Sequence, residues 1–159
     1  MKINAIKHAA LLAAVVASFG ATGVQASDSV SVTVNATIVP VCKFNTLSPV
    51  VNLTNTATGS NIDPSSASSA TGNAAINYKC SNGTTPTFTV PTSATVTCST
   101  CSGTPTMSPA ITSTNGGAGT GMGSGQDKVL TVTGTIVATN FQNAAAGAYT
   151  GTMTVSVSP

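Results

Sequence analysis

The stretch Val30-Ser31-Val32-Thr33-Val34-Asn35-Ala36-Thr37-Ile38 carries an apolar residue at every even position and Ser, Thr or Asn at the odd positions between them. Successive side chains of a strand point to opposite faces, so this is the period of a strand with one buried face. It stands close behind a segment with the marks of a removable leader, and therefore at a free end. A terminal strand of this kind can complete its own sheet or leave and complete a neighbour's. The first arrangement makes a monomer and the second makes a fibre.

The leader is read from Lys2 and Lys7, an apolar run from Ala9 to Phe19, and Val24-Gln25-Ala26 at the positions a signal peptidase reads. That run is too short for a membrane span. The expected organisation is a secretory signal peptide over residues 1–26, a strand-forming extension over 27–39 and a single domain over 40–159. The formal charge of +2 belongs to the leader. Beyond it, Lys43, Lys79 and Lys128 stand against Asp28, Asp63 and Asp127, with no Arg and no basic cluster, so no nucleic-acid partner is expected.

Four cysteines in an exported chain suggest two disulfides, and sequence alone permits three pairings. Cys42 with Cys80 and Cys98 with Cys101 is the pairing expected. On a chain-entropy argument the long loop closed by the first stabilises by about 4 kcal/mol and the short loop closed by the second by about 2 kcal/mol before strain.

Past the terminal strand the readable segments are short and separated by turn formers. Val50 to Leu53 is a brief apolar piece, and Asn55 to Gly72 is rich in Ser, Thr, Asn and Gly and reads as loop. Strands are expected at Ala75 to Cys80, at Thr87 to Val90 before Pro91, and over Lys128 to Ala138, where Leu130, Val132, Ile136 and Ala138 share a face. Thr95 to Cys98 is a candidate for local pairing, and the glycine-rich run from Asn115 to Gln126 for an exposed flexible loop. The chain closes with Tyr149, Gly151, Met153, Val155 and Val157 alternating against Thr150, Thr152, Thr154, Ser156 and Ser158. No run after the leader shows a sustained helical period, although Ala144 to Ala148 has room for one helical turn. Many short strands with Gly and Pro between them indicate an all-β chain built as a two-sheet sandwich.

Enzyme chemistry lacks its parts. The only histidine, His8, lies in the leader, no Lys follows a Ser by three residues, and the three remaining carboxylates are far apart in sequence. The glycine run meets neither phosphate-binding pattern, because a closing glycine is missing and Lys128 follows Asp127. Cys98-Ser99-Thr100-Cys101 has the spacing of a redox motif, but that chemistry uses a helix N-terminus and here the motif follows Ala94-Thr95-Val96-Thr97. A structural disulfide is the expectation, with no metal and no cofactor. Three glycosylation sequons at Asn35, Asn52 and Asn82 are chance matches in so Asn- and Thr-rich a chain.

The strand Val30 to Ile38 leading into Cys42, the segment Ile76-Asn77-Tyr78-Lys79-Cys80-Ser81-Asn82-Gly83-Thr84, and the ending Ala146-Gly147-Ala148-Tyr149-Thr150-Gly151-Thr152-Met153-Thr154-Val155-Ser156-Val157 together resemble the spore coat protein U domain of archaic chaperone-usher major pilins. The Cys98/Cys101 pair and the glycine run depart from that pattern. The resemblance implies an incomplete immunoglobulin-like β-sandwich that lacks its final strand and is completed by a donor strand from a neighbouring subunit. Strand addition of this kind is an established mode for pilins. Val30, Val32, Val34, Ala36 and Ile38 would be the donor residues, and Tyr149, Gly151, Met153, Val155 and Val157 would line the acceptor groove.

The implied partners are identical subunits joined head to tail, a periplasmic chaperone, an outer-membrane usher and a tip adhesin. The implied role is a structural subunit of a surface pilus (fimbria) supporting adhesion and biofilm formation. Two other readings stay open. A self-contained secreted sandwich of a coat or matrix would run as a monomer on size exclusion, and a C-x-x-C thiol-disulfide oxidoreductase would reduce insulin.

Overall fold

The computed structural model describes residues 28–56 and 61–159. The leader expected over 1–26, and Ser27 with it, lie outside the described residues. The chain divides into two units, Met1–Thr37 and Ile38–Pro159. In the first, residues 28–37 are exposed and form no regular ladder among the described residues.

The second unit is all-β apart from one short helix, with eight strands among the described residues: β1 (Cys42–Phe44), β2 (Ala70–Cys80), β3 (Thr87–Thr89), β4 (Val96–Thr97), β5 (Thr106–Met107), β6 (Ala110–Thr114), β7 (Lys128–Ile136) and β8 (Ser156–Ser158). The helix, α1, is Ala138–Phe141. Strands β1, β2, β7 and β6 form a four-stranded sheet in that order, with every neighbouring pair antiparallel. No helix among the described residues is long and apolar enough to cross a membrane.

The long central pair shows why these residues take this register. Ala74 lies opposite Val132 and Ile76 opposite Leu130. Ala70, Ala74, Ile76, Tyr78 and Cys80 of β2 are buried, as are Leu130, Val132 and Ile136 of β7, so every apolar pair falls on one face. Slipping either strand by one residue would turn Thr and Asn into the core. Each fully buried Leu, Val or Ile here contributes about 1.5–3 kcal/mol. The outer strand β6 keeps only Ile111 inward and presents Thr and Ser outward, which blunts an exposed edge.

A second layer covers that face. Phe88 of β3 stands edge-on to Tyr78 at 4.9 Å between centroids and stacks on Phe44 at 6.2 Å. Val51, Val90, Ala94, Met153 and Val155 pack against the same cluster. Both disulfides have the expected pairing, Cys42–Cys80 and Cys98–Cys101. The first ties β1 to β2 where the two residues are directly opposed.

Several sequence expectations are corrected. Strand β2 begins at Ala70, inside the stretch read as loop, because Thr71 exchanges backbone hydrogen bonds with Thr54 and the β7 ladder reaches Ala70 opposite Ile136. Ala138 leaves the β7 face to open α1, and the helical turn sits at 138–141 rather than at 144–148, anchored by buried Phe141. The last strand is shorter than its alternation: only Ser156–Ser158 forms a ladder.

The glycine-rich run is exposed over much of its length but docked. The Tyr78 hydroxyl donates to the Gly117 carbonyl (2.7 Å), the Gly119 amide to Thr84, the Gly83 amide to Gly119, and the Gly121 amide to Cys80. At Gly119 a Cβ would come 2.5 Å from both the Cβ and the carbonyl oxygen of Cys80, so only glycine permits that approach.

Candidate functional site

The alternating C-terminal segment is paired on one edge only, and only at its ends. Thr150 bridges to Thr97, and Ser156–Ser158 pair with Thr89–Thr87, so both partners belong to the stretch 87–97. Between them the partner strand is diverted: the Ile111 amide donates to the Thr92 carbonyl and the Ala94 amide to the Pro109 carbonyl. Residues 151–155 are left without a ladder partner among the described residues, and β8 is hydrogen-bonded to no strand besides β3. Unpaired backbone groups along an extended segment are a template for a further strand.

Beside that open edge lies an apolar groove. Its opposite wall is the piece after β1. The Asn45 amide donates to the Asn77 carbonyl and the Asn77 amide to Thr46 Oγ1, and Thr54 then pairs with Thr71. Between those tethers, residues 47–53 form no ladder.

One part of the groove is a cavity of about 490 Å³ with Phe44, Val50 and Val51 on one side, Met153 and Val155 on the other, and Ile76, Ile111, Val132 and Gly134 as its floor. A second part, about 630 Å³, is lined by Ile136, Phe141, Met107 and residues 144–151. Val50, Val51, Leu53, Val96 and Gly151 line both, so the two parts run into one another. At about 3.3 Å per residue, the wall over 149–155 is about 20 Å long.

Two glycines shape the groove. A Cβ on Gly134 would come 3.1 Å from Val51 and from Leu53, whose side chains lie over the bare backbone of β7. A Cβ on Gly151 would meet the Thr95 carbonyl, which presses in from the diverted stretch. Of the expected acceptor residues, Tyr149, Gly151, Met153 and Val155 line the groove. Val157 does not: it pairs with Phe88 in the β3–β8 ladder, beyond the groove's end. The wall at 44–53 and the floor at Gly134 were not anticipated as site residues. Their only sequence signal is the short apolar piece Val50 to Leu53.

Four of the expected donor residues are exposed large apolar side chains. Val30, Val32 and Val34 are 78–87% exposed and Ile38 is 89% exposed. Isolated exposed apolar residues are ordinary, but a regular row of them is not.

No carboxylate, lysine or histidine lines either part of the groove. Three of the charged groups, Asp127, Lys79 and Asp63, are engaged elsewhere. Asp127 accepts from Asn45 Nδ2 and sits 3.6 Å from Lys79 Nζ, which also donates to the Gly123 carbonyl. The Ser65 hydroxyl and amide both donate to Asp63 and hold its carboxyl below the usual value. Burial pushes the Tyr78 phenol up. No cluster of metal-ligating side chains occurs among the described residues. Cys98 is fully buried within its disulfide, and no helix begins beside it. The groove's chemistry is apolar contact combined with unpaired backbone, which suits an extended peptide.

No family model, no curated protein and no solved structure matches this chain.

Proposed function

We propose that this chain is the structural subunit of a surface pilus, exported through the periplasm and assembled by donor-strand exchange with a chaperone and an outer-membrane usher. In this reading residues 40–159 are an incomplete immunoglobulin-like sandwich, and the strand it lacks comes from residues 27–39 of another copy. The observation that carries it is the one-sided C-terminal segment: an unpaired edge over 151–155 beside an apolar groove, in a chain whose own Val30–Ile38 row is uncovered. Adhesion and biofilm support would follow from the fibre, with a tip adhesin as an added partner.

Magnitudes favour a strand over a looser apolar contact. Burying three Val, one Ile and one Ala contributes on the order of 8–10 kcal/mol. Ordering nine backbone residues costs on the order of 9–18 kcal/mol. Ladder hydrogen bonds at about 1 kcal/mol each close the gap, which requires an unpaired edge as well as a groove.

The test is to express the exported chain with a cognate chaperone and usher and examine the cell surface. Thin fibres that run as ladders on denaturing gels until heated support the reading. A monodisperse monomer that never polymerises overturns it.

A further inference from the structure

We infer that the Cys98–Cys101 disulfide is a positioning device for one wall of the groove: it sets residues 144–150 where an incoming strand must meet them, while the fold stands without it. This rests on the strand-acceptor reading above.

The disulfide lies in the turn between β4 and β5, where the Cys98 amide donates to the Pro105 carbonyl (3.0 Å) and the Thr104 amide to the Cys101 carbonyl (3.2 Å). Its two sulfurs rest on the backbone of Gly147. A Cβ there would stand 2.5 Å from Cys101 Sγ and 2.6 Å from Cys98 Sγ. Cys101 Sγ also lies 3.6 Å from the Ala146 carbonyl oxygen.

Little else locates this stretch. The Ala144 amide donates to Phe141 and the Tyr149 hydroxyl to the Ala145 carbonyl, both within the same local run. Among the described residues, its hydrogen bonds to other parts of the chain are Gln142 Nε2 to the Ser66 carbonyl at one end and the Thr97–Thr150 rung at the other. Residues 145–148, between those ends, line the larger part of the groove. The cystine spans a sequence separation of only 3, so it constrains the unfolded chain far less than Cys42–Cys80 does. Its effect is local.

Reduction would release the wall. Two electrons and two protons from a dithiol such as dithiothreitol turn the S–S bond into two thiols, and the dithiol leaves as its cyclic disulfide. Two thiols cannot keep the bonded separation, so they part, and the Gly147 backbone resting on both shifts with them.

The test uses the mature chain carrying Val34→Asp, so that its own strand does not compete, folded in the presence of a labelled synthetic peptide of residues 29–39 that occupies the groove. Peptide affinity and amide exchange are compared with and without Cys98→Ala/Cys101→Ala, and with and without Gly147→Ala. Both changes should weaken the peptide by about tenfold or more, which is about 1.4 kcal/mol. Exchange at 144–150 should quicken, while 70–80 and 128–136 stay protected. Undiminished affinity in both variants overturns the inference while leaving the strand-acceptor reading intact. Loss of protection across 70–80 overturns it as well, because the disulfide would then support the whole fold. Failure of the peptide to bind without either change defeats the strand-acceptor reading and the positioning role together.

Discussion

Thr97 and Thr150 exchange two backbone hydrogen bonds, of 2.8 Å from the Thr97 amide and 3.1 Å from the Thr150 amide. This rung and the β3–β8 ladder lie on the same partner stretch, so the C-terminal segment is held from one side at both ends. Its other side faces the groove. The proposed partner is a strand because what is missing there is a row of hydrogen bonds as well as apolar contact.

The inward and outward faces of the donor strand should respond differently to charge. Val32→Asp or Val34→Asp would bury an unpaired carboxylate in a neighbour's groove and should stop fibre growth. Thr33→Asp should assemble normally. Fibre yield by electron microscopy reads the difference, and equal effects on both faces would contradict the register.

Gly119→Ala should undock the glycine-rich run, because its Cβ meets Cys80 at 2.5 Å. Overpacking of this kind costs about 1–3 kcal/mol. Gly123→Ala meets nothing nearer than Gln126 Cγ at 4.0 Å and should be close to neutral. Thermal melts of the two variants under oxidising conditions distinguish them.

Processing and oxidation are checked by intact mass. The exported chain should begin at Ser27, and neither Cys42 nor Cys80 should react with a thiol reagent unless the protein is first reduced. Removing Cys42–Cys80 should cost about 2–5 kcal/mol, more than removing Cys98–Cys101, which closes the shorter loop.

The Tyr78 phenol titrates above its ordinary value of 10.0 because burial disfavours the phenolate. A raised folded-state value means that the stabilisation is fully present below the unfolded pKa and is lost as pH rises through the folded one. Melting temperature should therefore drop above about pH 10 more steeply for the native chain than for Tyr78→Phe. Parallel pH profiles for the two would contradict the assignment.

The parts of the fold legible in the sequence are those where period and burial coincide. Ile76, Tyr78 and Cys80 alternate with Asn77 and Lys79, Leu130 and Val132 flank Thr131, and both stretches are central strands. Strand β6 offers one inward apolar residue, Ile111, followed by Thr112, Ser113 and Thr114, so alternation has nothing to register. Helix α1 is Ala-Thr-Asn-Phe, poor in helix formers, and it forms because Phe141 is buried against Ala70 and Ile136. The alternation of Val30 to Ile38 and of most of the C-terminal wall was legible because each repeats every second residue. The opposite wall at 44–53 was not, because it has no period and is defined by where it leaves β2, between Thr46 and Thr54.

The central claim is tested most directly by moving the donor strand to the other end of the chain. A protein lacking residues 27–39, with a copy of residues 29–39 joined after Pro159 by a short turn, can fill its own groove by folding back along 149–157. The account predicts a soluble, heat-resistant monomer that needs no chaperone and never polymerises, since neither an open groove nor a free donor remains. It predicts aggregation or degradation for the deletion without the added copy. If size exclusion and thermal melting show the simple deletion to be an equally stable monomer, no strand is missing from the fold, and the account is contradicted.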